Sequence, residues 1–310
     1  MIASTTARAA ALGTGLVIIY TAFISSADAI TKLIAGGYAA PQLYAMSGLI
    51  VVALSVLADR HKSQRRGLKT TCPRAMALRA AATVGASVCF FYAFKLLTFA
   101  EVFLFIGLMP ILAGLMSGLI LGEHVRPAAW VALGAGFVGV TCLFPAGFDS
   151  ITLGHLFAFA AAVLGTFSMV MARFIGRYEN NSLAQVFYPN IAIAASMAVA
   201  LPFVWVPMPL ADLAWVFAYA AFLFAARWVL VVALRLLAAY TVTPLMNLQF
   251  VWMVILGAVF FGELPAAGTY LGVTIVIASG LFLVWDQFAP HKSIKLDLSG
   301  LLPSRFRTDP

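Results

Sequence analysis

The chain has 310 residues, of which 63% are hydrophobic and only 10% charged, with a mean hydropathy of +1.02. A soluble globular domain carries about 25% charged residues, so composition excludes one here and makes the bilayer the solvent for nearly the whole chain. The formal charge of +8 does not indicate nucleic acid, because the basic residues sit in short loops and tails.

Sixty-three per cent of 310 residues is roughly 195 apolar positions, enough for about ten spans at about 20 residues each. With no water to satisfy the backbone, the spans must be helices. Hydropathy and turn residues place the first five at 12–34, 41–58, 75–97, 99–121 and 127–145. The second five fall at 151–174, 182–204, 212–237, 240–262 and 266–287. Arg8, the run Leu12–Ile24 and Ser25-Ser26-Ala27-Asp28-Ala29 resemble a cleaved signal peptide. The apolar stretch continues through Ile30–Ile34, however, and is read as an uncleaved first span. Pro127 and Pro265 each open a span just after a Gly-Glu pair, a position that tolerates proline.

With the N-terminus inside, 16 of the 19 lysines and arginines fall on the inner side, including Arg60, Arg65, Arg74 and Arg79 around the second loop. The reverse orientation would put that basic loop outside, against the positive-inside rule. Both termini are therefore expected in the cytoplasm, with the protein a multi-pass component of a bacterial inner membrane. The basic tail 288–310 is expected on the cytoplasmic surface.

A repeat runs through the chain. Ala93-Phe94-Lys95-Leu96-Leu97 returns as Ala233-Leu234-Arg235-Leu236-Leu237 at a displacement of 140, which also carries Gly122-Glu123 onto Gly262-Glu263. Lys32-Leu33 returns as Arg173-Phe174 at 141, and Gln42 as Gln185 at 143. Pro127 and Gly134 return as Pro265 and Gly272 at 138. Two units result, 12–145 and 151–287. Five spans is an odd number, so the second unit must enter from the opposite face. Inverted repeats of this kind are characteristic of secondary transporters.

These segments resemble the drug/metabolite transporter superfamily, specifically its EamA-type members. The first-half match runs from Phe91 to Glu101, then through Met109-Pro110 to Leu121-Gly122-Glu123. The second half matches at Ala233–Leu237, Thr243-Pro244-Leu245, Gln249, Trp252 and Phe261–Pro265. Asp28-Ala29, Lys32 and Gln42 also fit the pattern, and the resemblance covers about 12–287. It implies an all-α integral membrane protein of ten helices in two inverted EamA repeats. It further implies a metabolite carrier, often an exporter, working by alternating access around a cavity drawn mainly from spans three, four, eight and nine. Two departures bear on substrate choice. Many relatives carry an arginine where this chain has Met46-Ser47, and a tyrosine where it has Asn247.

Charges inside a membrane are costly and each asks for a reason. Arg227 lies about 15 Å from the inner end of its helix at 1.5 Å per residue. It reads either as an anchor for a substrate carboxylate or phosphate or as a structural partner of another helix. Asp28 and Lys32 are four residues apart, so a local ion pair near the outer boundary competes with Asp28 as a proton or amine site. Glu101 is a proton-site candidate if buried; exposure at the outer surface is the plainer reading. Asn247, Gln249 and Trp252 supply amides and a flat wall to a cavity, and Tyr92 has a hydroxyl that wants a partner away from lipid. Pro110 and Pro244 free backbone carbonyls within spans four and nine. Glu123 and Glu263 read as structural residues at span ends.

The eleven acidic residues are isolated from one another, and no serine–base, His-Glu-x-x-His or Asp-cluster pattern supports a membrane enzyme. No filter-like segment supports a channel. Cys72, Cys89 and Cys142, with His61, His124, His155 and His291, form no metal or disulfide pattern, and no cofactor is expected. The expected cargo is a small polar or amphipathic metabolite such as an amino acid or related zwitterion. Without a phosphate-binding loop, a proton or another ion would supply the coupling. Oligomeric state, a homodimer included, is left open.

Overall fold

The computed structural model describes residues 2–60, 67–97, 99–123, 152–237 and 248–262, with scattered positions within 127–138, 242–246 and 274–282. Within these the chain is helical, with no strand. The helices are α1 (Ile2–Ala35), α2 (Ala40–Arg60), α3 (Pro73–Leu96) and α4 (Phe99–Met116), the last continued by a π-helical turn at Ser117–Leu121. Next come α5 (Leu153–Tyr178), α6 (Ser182–Val204), α7 (Leu210–Leu236) and α8 (Gln249–Phe261).

Among the described residues, six segments are long and apolar enough to cross a membrane: Ala11–Ala35, Ala40–Arg60, Pro73–Leu96, Leu153–Tyr178, Ser182–Val204 and Leu210–Leu236. They coincide with the expected spans one, two, three, six, seven and eight. The expected spans 127–145 and 266–287 lie largely outside the described residues. Large apolar side chains such as Leu119, Phe203 and Val259 are exposed on the periphery, as a lipid-facing surface requires. Small residues, including Ala82, Ala86, Ala158, Ala162, Ala220 and Ala226, are buried between helices, where they allow close backbone approach.

Helix ends follow local chemistry. Pro73 opens α3, where its missing N–H is no loss. Thr152 and His155 form a capping box on α5, and Asn181 accepts from the Ala184 N–H at the start of α6. Gly122 and Gly262 close the π-helical turn and α8 in the left-handed region, at φ 62° and 64°, a conformation that suits a residue without Cβ.

Packing recurs at the same spacing as the sequence. α1 packs chiefly on α7, α5 on α3, and α2 on α6. A methyl added at Gly13 would lie 2.7 Å from Leu237 Cγ, and one at Gly154 would lie 2.8 Å from Leu97 Cγ. Glycine thus lets the start of α1 cross the end of α7, and the start of α5 cross the end of α3. Arg173 pairs with Glu123 at 3.1 Å, beside the left-handed Gly122. At the repeat position of Arg173, Lys32 places its ammonium 5.2 Å from the Phe261 ring centroid, beside Gly262.

Candidate functional site

Residues of α1, α3, α5, α6, α7 and α8 converge on one cavity of about 170 Å³, which Ile106 and Met109 of α4 also line. Its walls are mostly apolar, including Ile24, Phe90, Met169, Leu223, Leu230 and Met246. Three charged groups interrupt them: Asp28, Arg79 and Arg227.

Each charge is held by an amide. Gln249 Nε2 donates to Asp28 Oδ2 at 2.7 Å, while Ser25 Oγ donates to the Gln249 carbonyl at 3.2 Å and fixes the start of α8 against α1. Arg227 Nη1 donates to Asn190 Oδ1 at 2.8 Å, and Asn190 Nδ2 returns to the Val186 carbonyl at 2.7 Å. Arg79 Nη1 donates to both the carbonyl and Oε1 of Gln185, at 2.7 and 2.8 Å. The last contact has a local cause. Pro189 stands four residues after Gln185 within α6, and lacking an N–H it leaves the Gln185 carbonyl without its helical donor. Thr83 and Ser168, 2.7 Å apart, tie α3 to α5 on the same wall.

The charges form a track. Gln185 and Asn190 are five residues apart on α6, so the Arg79 and Arg227 anchor points are separated by about 7.5 Å of helix. Asp28 stands on α1 against α8. The charges on this cavity have no charged counterparts at the displacements of the sequence repeat. At a displacement of 140, Arg79 corresponds to Tyr219 and Ser87 to Arg227; at 141, Asp28 corresponds to Met169.

Of the residues singled out from sequence, Asp28, Arg227 and Gln249 meet in this cavity. The expected Asp28–Lys32 pair does not form. Asp28 turns inward to Gln249, whereas Lys32, one helical turn on, lies against Phe261. Tyr92 is not a lining residue; its ring stacks on Phe157 at 5.3 Å and meets Phe91 edge-on, which is packing between α3 and α5. Trp252 is 37% exposed on the periphery, because three residues carry it about 60° around α8 from the inward-facing Gln249. The Glu101 side chain, Asn247, Pro244 and Glu263 lie outside the described residues. Glu123 accepts from Arg173 and Arg177 at 3.1 and 2.7 Å, joining the end of the π-helical turn to α5. Sequence reasoning placed Arg79 among the inner-surface cations and overlooked Asn190. The proline four residues past Gln185 was the available signal for a side chain from another helix.

Residues 6–144 match the model of the EamA-like transporter family. The chain is similar to that family over this segment, a little under half of its length. Six long apolar helices among the described residues suit a multi-pass membrane protein. Two curated relatives are each called "Riboflavin transporter". The one from Vibrio cholerae serotype O1 is 27% identical over 180 residues, covering 57% of this chain and 60% of the relative. The one from Rhizobium johnstonii is 27% identical over 187 residues, covering 57% and 59%. The chain spans about three-fifths of the length of the curated relatives it matches. A crystal structure of another protein superposes with a TM-score of 0.69 at 21% identity, covering 86% of this chain and 94% of the other. That likeness concerns the fold alone.

Proposed function

We propose that this chain is a secondary transporter that carries a small amphipathic metabolite, an amino acid or related zwitterion, across a bacterial inner membrane by alternating access. The observation that carries the reading is the placement of Asp28 and Arg227 on one apolar-walled cavity within the membrane-spanning helices. A carboxylate and a guanidinium facing one space suit a ligand with an ammonium and a carboxylate, and apolar walls suit its side chain. Asp28 is the group proposed to exchange a proton for coupling.

The architecture proposed is ten spans in two inverted units, 12–145 and 151–287, with both termini cytoplasmic. The paired Gly13–Leu237 and Gly154–Leu97 crossings support it, as do the paired left-handed glycines. Two similar halves around a shared cavity can rock to open it to either side in turn.

The relatives' names support a second reading, in which riboflavin itself is the cargo. Its flat ring would lie on the apolar walls while its polar edge meets the amides. Ligand-dependent melting of the purified protein, followed by uptake into vesicles, tests both. A zwitterion that stabilises the wild type and is taken up supports the first reading. If riboflavin does so and no amino acid does, the second replaces it. An Arg227→Ala variant that folds but binds the cargo about 30-fold or more weaker is expected, since truncating one side of a buried charged contact costs about 2 kcal/mol or more.

A further inference from the structure

Arg79 is a buried cation with no ion-pair partner among the described residues. It is six residues into α3 from Pro73, about 9 Å along the helix, and is 7% exposed. Its acceptors are both neutral oxygens of Gln185. Its Nε is buried without a hydrogen-bond partner, and so is Nε2 of Gln185. Among the described residues no carboxylate lies within ion-pair distance of Arg79. Glu179, which follows α5, accepts from Thr70 and Thr71 through Oε2, and its Oε1 is buried without a hydrogen-bond partner. A cation in this setting is among the most costly groups a protein can hold, yet among the described lining residues two guanidiniums stand against the one carboxylate of Asp28.

The repeat supplies an internal comparison. Gln42, the counterpart of Gln185, is closed by backbone: Nε2 donates to the Val206 carbonyl at 2.5 Å, and Oε1 accepts from the Val206 N–H at 3.0 Å. The same position in the second half lines the cavity with its amide donor unpaired, beside Arg79, whose own sequence counterpart is Tyr219. The amide of Gln42 is fully met by backbone, whereas Arg79 and Gln185 on the cavity wall are left with unmet donors.

We propose that Arg79 and Gln185 form an anion subsite at the α3–α6 end of the cavity, and that the transported solute carries a carboxylate or phosphate that docks there. The guanidinium and the amide N–H together present donors suited to two oxygens of one acidic group. The subsite deepens the transport reading and rests on it for the identity of the bound molecule as cargo.

The test uses the purified full-length chain in detergent and matched solutes differing in an acidic group: glutamate against glutamine, and flavin mononucleotide against riboflavin, with inorganic phosphate as a bare anion. In melting experiments the acidic member of at least one pair is expected to stabilise the wild type at concentrations lower by about tenfold or more. Arg79→Met should abolish that preference without lowering the melting temperature of the ligand-free protein, because it removes an uncompensated charge. Arg227→Met should weaken binding yet retain the preference. Gln185→Leu provides a second lesion of the subsite should Arg79→Met fail to fold, and loss of the preference is again expected. Equal response to acidic and neutral members, no response to any acidic member, or a preference surviving in the Arg79 and Gln185 variants would overturn the subsite. Stabilisation by phosphatidylglycerol alone, dependent on Arg79, would assign the group to a lipid headgroup and overturn the cargo assignment. Acidic preference in binding without vesicle uptake of any member would sink the transport reading while leaving the subsite standing.

Discussion

Asp28 and Gln249 join α1 to α8 by a single carboxylate–amide contact of 2.7 Å. A charged acceptor makes such a bond roughly twice as strong as a neutral one. An Asp28→Asn variant keeps the shape and can still accept from Gln249, but it cannot carry a proton. It should fold, bind a zwitterionic cargo more weakly, and lose uptake driven by a pH gradient; gradient-driven uptake at the wild-type rate would remove Asp28 from coupling. Outside the spans, the Tyr38 hydroxyl donates to the Asp212 carboxylate. That bond, with lesser contributions from desolvation and the negative charge, raises the Tyr38 pKa above its ordinary value of about 10. A raised folded-state pKa gives a contribution that is complete below the unfolded pKa and fades as pH rises through the folded one. Melting curves from about pH 8 to 11 should therefore fall more steeply in the wild type than in Tyr38→Phe.

The helix crossings at Gly13 and Gly154 make the repeat physically testable. Alanine at Gly13 would place a methyl 2.7 Å from Leu237 Cγ, and alanine at Gly154 would place one 2.8 Å from Leu97 Cγ. Overpacking of this kind costs about 1–3 kcal/mol. Both variants should lower the melting temperature by similar amounts. Gly15→Ala, which meets nothing within 4 Å, should not lower it and serves as the control. Unequal losses would mean that the two crossings are not equivalent. α6 shows the converse device, in which proline opens a helix to a neighbour. Pro189→Ala would restore an N–H that competes for the Gln185 carbonyl, so Arg79 should be held less firmly and the preference for acidic solutes should narrow.

Orientation and inversion belong to the assembled chain. With both termini inside, a fluorescent-protein fusion to the C-terminus should fluoresce, and an alkaline phosphatase fusion there should be inactive. The same pair inserted within 61–66 should report the cytoplasmic side. Opposite results at either point would reject the five-plus-five arrangement. Alternating access also predicts that a cysteine at Ser87, which lines the cavity, is labelled by impermeant reagents from one side at a time. Cargo should change its labelling rate. Simultaneous access from both sides would instead describe a channel.

Membrane residence, six of the spans and the periodic Gly-Glu, glycine and leucine signals were legible in the linear chain, because hydropathy and turn chemistry are local and a span's length is fixed by the bilayer. The inward placement of Arg227 and Gln249 was also accessible, since a charge or amide deep in a span must find polar company. Which groups meet was not accessible. Spacing along one helix made Lys32 the natural partner of Asp28, and placed Arg79 with the loop cations and Trp252 beside Gln249. Partner choice depends on the angle at which each side chain leaves its helix and on what the neighbouring helix presents there. Packing of α1 on α7 and of α3 on α5 and α6 sets those angles. It turns Asp28 towards Gln249, Arg79 towards the carbonyl that Pro189 frees, and Trp252 away from the cavity. Local chemistry fixes where the chain enters the membrane, and helix packing fixes which charges share its interior.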